Sequence, residues 1–240
     1  MVSKNIYVLV HGSWHGAWCW YKVVPLLEKA GHRAVALDLP GHGRDRTPHA
    51  EVTLKTYVDR ILEVLDAQPE AVILVGHSMG GVPITQAAEY CPDKIKTLVY
   101  LAAFLPRDGE SLATLSGEDK GSLVSAGRII SGDGTCTTMK PEALKNTFYG
   151  DCSEEDIALA KASLTPQPLN PGATPVRTTQ ENFGRVPRVY MTALFDRALT
   201  PEMQKKMFTA LPCQQVMSLN TGHSPFFSAP GELVRLLTSL

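Results

Sequence analysis

Residues 71–81 read Ala-Val-Ile-Leu-Val-Gly-His-Ser-Met-Gly-Gly. The apolar run Ala71 to Val75 shows no alternation, so it reads as a strand buried on both faces. Gly76-His77-Ser78-Met79-Gly80 then matches G-x-S-x-G, and Ser78 to Tyr90 is helix-compatible. Strand, motif and helix in that order place the Ser78 hydroxyl on a sharp strand-to-helix turn above a sheet. Small residues two positions before and after it let such a turn close without clashes. The helix N-terminus beneath adds positive potential where negative charge would develop. Ser78 is therefore the candidate nucleophile.

Outward from this turn, strand and helix patterns alternate. Ile6 to Val10 is a second buried run, stopped by His11 and Gly12. Trp18 to Ala30 reads as a helix ending at Gly31, and Arg33 to Leu37 as a strand before the turn-rich Asp38-Leu-Pro-Gly-His-Gly43. Leu54 to Ala67 carries Leu54, Tyr57, Val58, Ile61, Leu62 and Leu65 at helical spacing. Ile95 to Leu101 is a further strand. Such alternation implies parallel strands joined by crossover helices, an α/β architecture.

After Pro106 the chain turns richer in Gly, Ser, Thr and Pro. Helical patterns appear at Pro141 to Phe148 and at Ser153 to Ser163, the latter with Ser153 as N-cap and Asp156 completing a capping box. No strong strand run interrupts them. Strand patterns return at Arg188 to Leu194 and Gln215 to Leu219, and Gly231 to Leu240 reads as a closing helix. The expected organisation is a core of 1–106 plus 186–240 with a mostly helical cap at 107–185.

A nucleophilic serine needs a base, and the base needs an acid to orient it. His223 follows the last strand, where a parallel sheet carries its functional loops. His11 and His15 belong to an early loop, His42 to the turn and His77 to the nucleophile motif. His32 and His49 read as surface residues. Asp196 follows the strand before that one, giving the order Ser78, Asp196, His223. Asp38 also ends a strand but precedes the serine. Acyl transfer further requires two donors aimed at a tetrahedral oxygen. The backbone N–H of Met79 is one, and the N–H of Ser13, in His11-Gly-Ser-Trp-His-Gly16, is the other.

Composition narrows the partners. With 23 Lys plus Arg, 24 Asp plus Glu and no long run of one sign, the chain offers nothing for nucleic acid or an anionic membrane surface. The five cysteines, Cys19, Cys91, Cys136, Cys152 and Cys213, form no CxxC pair, which argues against zinc and dithiol chemistry and suits a reducing cytoplasm. Cys152 and Cys213 read as ordinary, partly buried thiols. The five-residue apolar run at the N-terminus is too short for a signal-peptide core or a membrane span.

LVHGSWHGAWCWYKVVPLLEKAGHRAVALDLPGHG from Leu9, VILVGHSMGG from Val72, LVYLAAFLP from Leu98 and DCSEEDIALAKASL from Asp151 resemble plant methylesterases and hydroxynitrile lyases of the α/β-hydrolase superfamily, with their bacterial esterase relatives. The resemblance covers nearly the whole chain and is weakest from Arg107 to Lys140. It implies an α/β-hydrolase fold with a mostly parallel sheet and a mainly helical cap inserted after the sixth strand. It also implies triad roles for Ser78, Asp196 and His223, oxyanion roles for Ser13 and Met79, and no metal or organic cofactor. Three positions depart from the lyases, which commonly carry Thr, Glu and Lys where this chain has Gly12, His77 and Ser224. The expected substrate is a small, neutral, fairly hydrophobic ester or lactone, with Trp14, Phe104, Leu105, Leu123, Phe148 and Tyr149 as pocket residues. A small-molecule receptor with a retained triad and a hydroxynitrile lyase are the alternatives. The surface around a cap is compatible with a homodimer.

Overall fold

The computed structural model describes residues 4–240. In chain order its strands are β1 Ile6–Val10, β2 Arg33–Leu37, β3 Val72–His77, β4 Ile95–Leu101, β5 Arg128–Ile130, β6 Cys136–Met139, β7 Gln167–Pro168, β8 Arg188–Ala193 and β9 Gln215–Leu219. The helices are α1 Val23–Lys29, α2 Leu54–Asp66, α3 Gly81–Tyr90, α4 Leu112–Glu118, α5 Val124–Gly127, α6 Pro141–Phe148, α7 Glu154–Ser163, α8 Asn170–Ala173, α9 Pro201–Ala210, α10 Pro225–Ser228 and α11 Pro230–Leu237. None of them is long and apolar enough to cross a membrane.

The main sheet runs β2-β1-β3-β4-β8-β9, and every neighbouring pair is parallel. β1 and β3 are buried at every residue, as unalternating apolar runs must be when helices cover both faces. Side chains still alternate between two cores: Val8 and Val10 join the cluster that includes α2, α3 and α9, while Tyr7 and Leu9 join the cluster that includes α1 and α11. α2 buries Leu54, Tyr57, Val58, Ile61, Val64 and Leu65, and Thr53 and Thr56 cap its start reciprocally. Each fully buried aliphatic side chain of this kind contributes roughly 1.5–3 kcal/mol.

Several expectations change in detail. Residues 18–30 do not form one helix: a 3₁₀ turn at Ala17–Trp20 is followed by a separate start at Val23. Pro25 explains the break, because it has no N–H to continue a helix from upstream and is tolerated in a first turn. The closing helix forms as α11, Pro230–Leu237, and a separate short helix, α10, precedes it. The cap departs after β4, the fourth strand, because only four strand runs precede Pro106; the expected sixth-strand position does not hold for this chain. The cap also holds a small antiparallel sheet, β5-β6-β7, which the sequence did not announce. Its strands are two to four residues long, too short for periodicity to register. Ser153 caps α7 by accepting the Asp156 N–H, but the reciprocal half of the box does not form. The Asp156 carboxylate turns instead to Lys22 Nζ at 2.6 Å and the Tyr21 hydroxyl at 2.8 Å. His32 is buried rather than exposed, and its Nδ1 accepts the Asn5 N–H.

Candidate active site

The pairing of β1 with β3 sets Val10 opposite Gly76, so the loops leaving these strands emerge side by side. β8 and β9 pair likewise, with Ala193 opposite Leu219. The loops that carry Ser78, Ser13, Asp196 and His223 thus share the carboxyl edge of one sheet.

At the end of β3 the backbone turns sharply. Ser78 has φ +54°, a left-handed value rare for a residue with a side chain. The turn closes because its neighbours are glycines: a Cβ on Gly76 would lie 2.7 Å from the Gly80 carbonyl oxygen, and a Cβ on Gly80 would lie 2.7 Å from that of His11. The Phe104 N–H holds the Ser78 carbonyl at 3.0 Å. The Met79 N–H stands at the first turn of a short 3₁₀ segment, where no acceptor exists within the helix.

Asp196 and His223 meet as a buried pair, with His223 Nδ1 2.7 Å from Asp196 Oδ2 and side chains 2% and 0% exposed. Asp196 is held from every side. Oδ1 accepts the N–H groups of Ala198 and Leu199 at 2.8 and 2.9 Å, and Oδ2 also accepts Gln204 Nε2 at 3.2 Å. With Nδ1–H donating to Asp196, the other ring nitrogen of His223 is left as a proton acceptor. His77 steadies the base from below, because its Nε2–H donates to the His223 carbonyl at 2.8 Å. The Ser78 hydroxyl makes no hydrogen bond to another described residue in this state of the site. The rival Asp38 accepts the N–H groups of Ala17 and Arg44 and touches no histidine ring through a hydrogen bond.

The loop from His11 to Gly16 is shaped by two neutral histidines. His11 Nδ1–H donates to the Gly12 carbonyl at 2.8 Å and its Nε2 accepts the Leu39 N–H at 3.1 Å. In a trans peptide the N–H points opposite the carbonyl, so pinning the Gly12 oxygen aims the Ser13 N–H. That N–H finds no acceptor among the described residues. His15 Nδ1–H donates to the Ser13 carbonyl at 2.7 Å, and its Nε2 accepts the Tyr149 hydroxyl at 2.7 Å. Burial lowers His11 to about 4 and His15 to about 3, which keeps both neutral near pH 7.

Ser13 and Ser78 open into a cavity of about 400 Å³ beneath the cap. Trp14, Phe104 and Phe148 line it, as do Leu112, Leu169 and Ala173, which sequence reasoning did not single out. Leu105, Leu123 and Tyr149 do not. Leu105 packs into the core with its N–H on Met207 Sδ, the Leu123 N–H holds the Arg197 carbonyl, and Tyr149 is turned onto His15. Gln204 was also missed. Its one signal was a polar residue beside Met203 and Met207 on the buried face of α9. Burial pushes the Cys152 thiol up to about 12 and the Cys213 thiol up to about 11, which disfavours the reactive thiolate of each.

A family model described as the alpha/beta hydrolase family matches residues 7–236. The chain is 35% identical to methylesterase 1 of Arabidopsis thaliana, over 96% of this chain and 93% of that protein. It is 33% identical to the esterase PIR7B of Oryza sativa subsp. japonica, over 99% and 96%. Among solved structures, a pyrethroid hydrolase from Sphingobium faniae superimposes with a TM-score of 0.90 at 30% identity, covering 99% of this chain and 97% of that one.

Proposed function

Because this chain belongs to the alpha/beta hydrolase family, we propose that it is a carboxylic ester hydrolase working through a covalent acyl-serine. The observation that carries the reading is the buried His223–Asp196 pair at 2.7 Å, on the same sheet edge as a serine in left-handed backbone. Ser78 Oγ attacks the ester carbonyl carbon while His223 Nε2 takes the hydroxyl proton. For that transfer the Ser78 hydroxyl must turn within hydrogen-bond reach of His223 Nε2. The N–H groups of Ser13 and Met79 receive the oxyanion, and the proton passes from His223 to the departing alcohol. Water then gives a proton to His223 and attacks the acyl carbon; the bond from that carbon to Ser78 Oγ breaks, His223 returns the proton to Oγ, and the carboxylic acid leaves. Asp196 holds the imidazole tautomer and stabilises the imidazolium.

The substrates are small, neutral, fairly hydrophobic esters or lactones. Aromatic and aliphatic walls support this; among the described residues the charged groups on the cavity wall are one cation, Arg128, exposed on β5, and one carboxylate, Asp119, which is held by Thr200. The test compares wild type with Ser78→Ala on p-nitrophenyl esters from acetate to longer chains, together with a lactone and a pyrethroid. Turnover should fall by several orders of magnitude in the variant. A folded wild type inert on the whole panel sinks the reading.

A further inference from the structure

The oxyanion loop leaves ordinary backbone at one residue. Trp14 has φ +63°, a conformation that a bulky side chain adopts only under constraint. Three hydrogen bonds from the cap act on Trp14 itself, beside the His15 bond to the Ser13 carbonyl on the same peptide unit. The Trp14 N–H donates to Gln167 Oε1 at 3.3 Å, its indole N–H donates to the Thr137 carbonyl at 3.0 Å, and its carbonyl accepts the Thr165 N–H at 2.9 Å. Peptide units are planar, so fixing these groups fixes the units on both sides of Trp14; the Ser13 N–H lies one unit further back and is coupled to them through the two Ser13 dihedrals, with His11 holding its own unit.

Gln167 is itself aimed. Its Nε2 donates to the Tyr57 hydroxyl at 3.1 Å and the Pro168 carbonyl at 2.9 Å, which leaves Oε1 facing Trp14. The Tyr57 hydroxyl, accepting from Gln167, donates onward to His42 Nε2 at 2.8 Å. His42 Nδ1–H then donates to Thr165 Oγ1 at 3.2 Å, beside the second clamp on Trp14. Gln167, Tyr57 and His42 are all buried, and the Tyr57 hydroxyl proton has His42 Nε2 as its acceptor among the described residues, which leaves the His42 proton on Nδ1 and gives the relay its direction. This accounts for the histidine of the Leu-Pro-Gly-His-Gly turn, which no step of the acyl transfer uses.

We propose that Gln167 is a positioning residue for ester hydrolysis: it holds Trp14 in left-handed backbone and thereby keeps the Ser13 N–H aimed at the oxyanion, with Tyr57 and His42 holding Gln167 in turn. The proposal rests on the esterase reading above. Two variants test it. Gln167→Leu removes the clamp, and Tyr57→Phe disturbs it from a residue that does not line the cavity.

In Gln167→Leu, kcat for p-nitrophenyl acetate should fall roughly tenfold to a hundredfold, less than the loss of a whole oxyanion donor. KM should stay within about threefold, the signature of an interaction made in the transition state. Tyr57→Phe should move kcat the same way by a smaller factor. A trifluoromethyl ketone adds Ser78 Oγ to its carbonyl carbon, sends the hydroxyl proton to His223 and leaves an oxyanion. Its affinity should fall by the same factor as kcat, while the unfluorinated ketone binds as before. Amide hydrogen exchange across residues 11–16 should quicken in both variants. Unchanged exchange overturns the proposal, and so does faster exchange with kcat and hemiketal affinity intact. The exchange arm reads the clamp without any turnover, so a wild type inert on all esters sinks the esterase reading separately.

Discussion

At the scale of the residue, the site depends on which atom of each side chain is already occupied. Asp196 spends both oxygens on four donors, three of them from Ala198, Leu199 and Gln204, and one from His223. Asp196→Asn keeps this volume but puts an NH₂ where an acceptor is required, which turns the His223 tautomer the wrong way. We expect kcat to fall roughly 10⁴-fold with the fold intact, since removing the orienting carboxylate in a Ser-His-Asp site has an effect of that order. Steady-state kinetics beside circular dichroism checks it, and a variant within tenfold of wild type excludes Asp196 as the orienting acid. The sequence made Ser78, His223 and Asp196 legible, because motif, loop position and chain order are one-dimensional. It made Gln204 and Gln167 illegible, because each acts through partners 8 and 153 positions away.

At the scale of the element, the site depends on close approach of backbone. Where α3 begins, a Cβ on Gly81 would lie 2.0 Å from the Phe104 carbonyl oxygen in the loop after β4. The same Phe104 donates its N–H to the Ser78 carbonyl. Gly81→Ala must therefore push apart the helix and the loop that together hold the nucleophile. We expect it to destabilise the fold by about 3 kcal/mol or more, the upper range for overpacking, and to lower kcat as well. Urea unfolding and ester turnover measured on one preparation test both halves. Unchanged stability would mean that the loop yields freely. The cap works at this scale too: its residues hold the oxyanion loop at Trp14, the acid loop through Asp119 on Thr200, and the base loop through Asp151 on Gly222. A cap bonded to the loops that carry Ser13, Asp196 and His223 is part of the frame of the site.

At the scale of the whole molecule, four buried histidines link the site to acid stability. Burial lowers His11 from its ordinary 6.5 to about 4 and His15 to about 3, and it holds His42 and His77 well below 6.5. Below pH 6.5 the unfolded chain therefore binds protons that the folded chain refuses. Their stabilisation is complete above that pH and is lost progressively as pH falls toward 4 and 3. The urea midpoint should drop from pH 7.5 to 4.5 with the m-value unchanged. His11→Asn, which retains a donor near the Nδ1 position, should flatten the profile; an equal slope in the variant contradicts this origin. The sequence by itself determined the parallel sheet, the order of its elements and the placing of Ser78, Asp196 and His223 in loops at its carboxyl edge. Unbroken apolar runs, G-x-S-x-G and the succession Ser, Asp, His all survive without knowledge of distance. Only the tertiary structure decided the break before α1, the small sheet in the cap, which aromatic residues face the cavity, and the relay from His42 through Tyr57 to Gln167. Each of those is fixed by hydrogen bonds and packing between segments far apart in the chain, and no local pattern of residues encodes which distant partner a buried polar atom will meet.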